Sequence, residues 1–80
     1  MGIVAPRAAS VNRDQEQRHL AQADRHIAEV KRHIVQQRAA IERLKAANHP
    51  TETAESMLAA LEGSLVAFER HRQLILKALA

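Results

Sequence analysis

Three near-identical triplets, Arg18-His19-Leu20, Arg25-His26-Ile27 and Arg32-His33-Ile34, recur every seven residues without interruption. Such residue types can ligate a metal through imidazole, carry a proton near neutral pH, or follow a phosphate backbone through guanidinium groups. Spacing separates these options. Seven residues are two helical turns, about 10.5 Å, whereas the ligands of one ion lie about 2.1 Å from it. His19, His26 and His33 therefore cannot share an ion, and no two histidines have the i, i+4 spacing that would allow it. The arginines make a row along one helix face, interrupted by acids and glutamines.

The elements that must position these residues are helices. Gly and Pro number two each in 80 residues, there is no cysteine, and Ala, Leu, Glu, Arg, Gln and Lys dominate. That is the composition of long helices and coiled coils, with no disulfide or thiolate zinc site to reinforce the fold. The segment 1–11, with Gly2 and Pro6, is expected to be a flexible arm. Asn12 or Ser10 can cap a first helix at about 12–47, with Asp14 and Glu16 in its first turn, where the helix dipole favours acids. Asn48 suits a C-terminal cap, Pro50 stops continuation, and Thr51 is a good N-cap. The reading is thus a turn at 48–51 and a second helix at about 52–79.

Heptads set the expected register. With Leu20, Ile27, Ile34 and Ile41 at a, the d positions of the first helix are Ala23, Val30, Gln37 and Leu44. In the second helix a is Leu58, Leu65, Arg72 and Leu79, and d is Ala54, Leu61, Phe68 and Ile75. Only Gln37 and Arg72 break an otherwise apolar set, and polar residues at such positions commonly control register. An antiparallel hairpin that sets a against d pairs Leu44 with Leu58, Ile34 with Phe68 and Val30 with Arg72. The same register faces Lys45 to Glu55, Arg38 to Glu62 and Lys31 to Glu69, a base opposite an acid each time. These exposed pairs act mainly on register, at about 0.2–1 kcal/mol each.

On the flank the same register faces His33 to His71 and His26 to Ala78. His33 and His71 are therefore the weak candidates for a metal site, short of a third ligand. Two imidazoliums there, near Arg70 and Arg72, would also lower stability below about pH 6.

A two-helix seam is covered from one side only. Ala21, Ala28 and Val35 on the first helix, with Ala59, Val66 and Leu76 on the second, form a further strip. Pairing two copies through it gives an antiparallel four-helix bundle, so the fold expected is an all-α hairpin that dimerises. No cofactor is expected, and no enzyme: there is no Gly-rich phosphate loop, and Ser10, Ser56 and Ser64 have no positioned base.

Charge leaves a second option. Residues 1–48 carry nine Lys/Arg against five Asp/Glu, and residues 49–80 carry three against four. Arg18, Arg25, Arg32 and Arg43, with Arg13, could bind nucleic acid in a salt-dependent, sequence-neutral way. With Phe68 as the one aromatic residue, stacking on bases is nearly excluded. The opening apolar run is too short for a signal peptide, and Pro6 stands where a myristoylation signal has Ser or Thr. The expectation is a cytoplasmic protein–protein interaction or oligomerisation module.

The "RHI" block, followed by "NHPTETAESMLAALEGSL" and a late "HR..IL..L", resembles short uncharacterised helical-hairpin proteins of alphaproteobacteria, the rhizobial group especially. The matching positions, between about 18 and 79, are His26, Ile27, Ala28, His49, Thr51, Ala54, Leu58, Leu61, Glu62, Leu65 and His71. Pro50 departs from the pattern, which has a polar residue there. The resemblance implies a hairpin and no activity, cofactor or catalytic residue.

Overall fold

The computed structural model describes the backbone of residues 4–80 and the side chains of residues 12–80. Two helices make up the fold, α1 (Val4–Ala46) and α2 (Glu52–Leu79), packed against each other as a hairpin. At 1.5 Å per residue they are about 64 and 42 Å long. The Cα envelope of 72 × 16 × 14 Å is that of two helices side by side.

α1 begins earlier than the sequence suggests. Pro6 falls in its first turn, where backbone N–H groups lack helical partners in any case, so the missing donor costs nothing. The expected arm is thus helical from Val4, Asn12 lies inside the helix rather than capping it, and Asp14 and Glu16 lie well beyond its first turn. Residues 1–3 lie outside the described residues.

The chain reversal is built on backbone hydrogen bonds. Asn48 has φ 57°, the left-handed conformation that terminates helices. The N–H of His49 donates to the carbonyl of Leu44 at 2.9 Å, and that of Asn48 to Lys45 at 3.0 Å. This pair is the Schellman arrangement, and it satisfies carbonyls that the helix end would otherwise leave free. Thr51 takes the N-cap position of α2, but its side chain makes no cap hydrogen bond. Its carbonyl accepts from the Glu55 N–H at 2.8 Å instead.

All sixteen a and d residues are buried or half-buried, as the heptads require. The register between the helices differs from the expected one. Since α1 ends at Ala46 and α2 starts at Glu52, the reversal is symmetric about His49. Residues equally distant from His49 therefore lie level, which brings d level with d and a within one residue of a. Ala23 and Ile75, each 26 residues from His49, are both only 4% exposed. Two contacts fit this symmetry within two residues, Arg38–Glu62 at 11 before and 13 after His49 and Asp24–Arg72 at 25 before and 23 after. His26–Phe68, Arg13–Leu79 and Gln37–Ala54 join α1 to points of α2 nearer the turn, at 23 and 19, 36 and 30, and 12 and 5 residues. The expected register put Leu58 beside Leu44, whereas it lies level with Ala40, one turn further from the reversal. The cause is the short turn, which leaves no chain for α2 to climb back along α1.

The core is one seam thick. Ala23, Val30, Ile34, Ile41 and Ile75 are the buried apolar residues, and no described side chain falls below 2% exposure. Replacing Ile34 with Ala is expected to cost about 2–5 kcal/mol, which approaches the whole stability of a domain this small. Urea denaturation checks this as a lowered midpoint. Gly63, inside α2, has open space where a Cβ would go. Gly63→Ala is therefore expected to raise stability by about 0.5–1 kcal/mol in the same measurement.

Candidate functional site

The two polar seam residues find partners inside the hairpin. Gln37 Nε2 donates to the carbonyl of Ala54 at 2.9 Å. Arg72 Nε donates to Asp24 Oδ1 at 2.6 Å, on a pair about a third to a half exposed. Each contact joins α1 to α2 at a particular level, so these residues work as register pins. A third link lies at the far end of the hairpin. Arg13, expected on the basic surface, donates through Nη1 to the carbonyl of Leu79 at 3.0 Å and satisfies the C-terminus of α2.

Of the three base–acid pairs expected on the flank, Arg38–Glu62 forms at 3.6 Å. Lys45 turns to Glu42 on its own helix at 3.7 Å. Lys31 and Glu69 border one groove, with Asp24 and Arg72, without forming an ion pair.

The triplet histidines take three different roles. His19 Nδ1 lies 3.7 Å from Glu16 Oε1, one turn earlier. His26 is half-buried, its ring centroid 5.2 Å from that of Phe68 with a 46° interplanar angle. This tilted aromatic contact replaces the expected juxtaposition with Ala78. His33 is exposed and borders a groove with Ala60, Leu61 and Ser64. His71, seven residues beyond Ser64 on α2, does not line that groove. Among the described residues, no group of three or more His, Cys, Asp or Glu side chains is placed to hold a metal ion.

Arg18, Arg25 and Arg32 are exposed along the outer face of α1. Arg43, exposed as well, turns to the groove that His33 borders. Among the described residues none of these four forms an ion pair.

Two apolar flanks remain uncovered, one on each side of the seam. On the first, Val35 (67% exposed) and Val66 (48%) border a groove of about 430 Å³ with Ile34 and Leu65 at its floor. Ala21, Ala28 and Ala59 of the same strip are exposed, while Leu76 is half-buried. The second flank was not picked out by the heptad reading. It carries Met57 (54% exposed) and Leu74 (64%), with a larger groove of about 590 Å³ between Met57, Ala60 and Ser64 on α2 and His33, Gln36 and Ala40 on α1. The c and g positions of α2 hold its signal: from Met57 onward all but His71 are apolar or small, and alanines dilute the pattern.

Comparisons with family models, with curated proteins and with solved structures give no match. No helix among the described residues is long and apolar enough to cross a membrane.

The histidine geometry separates two otherwise similar substitutions. His26→Ala is expected to cost about 0.5–1.5 kcal/mol through the lost contact with Phe68, whereas His33→Ala should stay within about 0.5 kcal/mol. Urea titrations of the two variants check the contrast. Gln37→Leu is expected to be neutral or stabilising, because the carbonyl it leaves lies within the helical ladder of α2 and needs no second donor. Thermal melting reads the result.

Proposed function

We propose that this chain is a small non-enzymatic oligomerisation module, a hairpin that pairs with a second hairpin as a four-helix bundle. The observation that carries this reading is the apolar surface left uncovered on both flanks of the seam: Val35 (67% exposed) and Val66 (48%) on one, Met57 (54%) and Leu74 (64%) on the other. A further layer of helices would bury such residues, as the core of a four-helix bundle does. Two-helix units without a disulfide or metal staple also rarely have enough core to stand alone.

A second reading rests on the row of exposed, unpaired arginines, Arg18, Arg25 and Arg32, with Arg43. It is a sequence-neutral contact with a nucleic-acid backbone. Arg18, Arg25 and Arg32 lie on the outer face of α1, away from both uncovered flanks, whereas Arg43 borders the groove of Met57, Ala60 and Ser64. The cytoplasm fits either role.

Sedimentation equilibrium across micromolar concentrations tests the first reading: a dimer is expected, and a melting temperature that rises with protein concentration. A folded monomer throughout overturns it. For the second reading, affinity for duplex DNA should fall steeply with salt, and replacing Arg25 and Arg32 with Ala should reduce the log–log slope by about 2. Binding that ignores salt counts against it.

A further inference from the structure

The uncovered flank of α2 has a volume pattern that fits itself. Starting at Met57 and stepping three and four residues in turn, one face of α2 carries Met57, Ala60, Ser64, Ala67, His71, Leu74 and Ala78. All seven are exposed. Turn a second copy of α2 antiparallel about an axis through Ala67, and large residues meet small ones throughout. Leu74 and Ala60, each seven residues from Ala67, come level; so, within one residue, do Met57 and Ala78, and His71 and Ser64. Ala67 meets its own copy.

We infer that the second hairpin docks on this face, α2 against antiparallel α2 with Ala67 on the two-fold axis, rather than on the strip of Val35 and Val66. The inference rests on the proposed self-association and names its surface. An isologous contact demands self-complementarity, and the large–small alternation supplies it. Small residues at the centre let two helices approach to the short end of the 8–10 Å range of interaxial distances.

Charge agrees. Between Ser56 and Val66 the acids of α2 are confined to Glu62 on the opposite flank, where it pairs with Arg38. On the outer edge of the face, Arg70 comes within one residue of level with Gly63 and Lys77 with Ser56, so no like charges meet along that edge. Polarity agrees too. The Ser64 hydroxyl donates to the carbonyl of Ala60 on its own helix at 3.0 Å, so it needs no partner across the interface. The neighbouring flank lacks this fit, because Glu55, Glu62 and Glu69 run along it and would face one another in an α2–α2 contact.

The absence of native cysteine permits a direct test on the full chain. Ala67→Cys is expected to form a disulfide-linked dimer under mild oxidation, and Ala59→Cys, on the other flank, is not. Leu74→Ala and Ala60→Leu should each weaken the dimer by tenfold or more in sedimentation, and the double variant should recover most of that loss. Both positions are exposed, so the helicity of the hairpin should be unchanged in circular dichroism. A dimer that Ala67→Cys does not lock, or a double variant no better than the singles, overturns this surface and leaves self-association standing. A monomer at all concentrations overturns both.

Discussion

The five residues between the helices govern nearly everything else in this molecule. Asn48 accepts the left-handed conformation that most side chains resist, and two backbone hydrogen bonds close the end of α1 around it. With α2 starting at Glu52, the reversal has no slack. Two straight rods joined by such a short, symmetric turn can lie level in only one way. On the hairpin so formed Phe68 contacts His26, Arg72 reaches Asp24, and Arg13 meets the carbonyl of Leu79. Gln37 and Arg72 support the register, but the turn dictates it.

The second constraint is geometric. Two helices share one seam, and a single seam cannot bury an apolar side chain on every side. Even the best-buried residues retain a few per cent exposure, and both flanks keep apolar groups in solvent. The proposed bundle follows from that imbalance rather than from any motif.

The repeated Arg-His triplet illustrates how identical local sequence acquires different surroundings. Each triplet places its Leu or Ile in the seam, its His on the flank and its Arg outside. What stands opposite each His depends on the level of α2, which is antiparallel and carries no matching repeat. One His lies by an acid on its own helix, one makes a tilted contact with an aromatic ring, and one borders a groove.

Periodicity and punctuation determined the helical hairpin, the a and d residues that form its seam, and the position of the turn at Asn48 and Thr51. These are consequences of local rules: a 3.5-residue apolar repeat selects one helix face, and Pro50 with Asn48 interrupts it. The exception at the N-terminus came from reading Pro6 as a breaker where a first-turn proline is tolerated. Tertiary structure alone decided the relative level of the helices, and with it the survival of one flank ion pair of three. A heptad repeat looks the same after sliding by one turn along itself, so apolar pattern cannot distinguish neighbouring registers. Only the length and closure of the turn can, through the backbone geometry that joins the two rods.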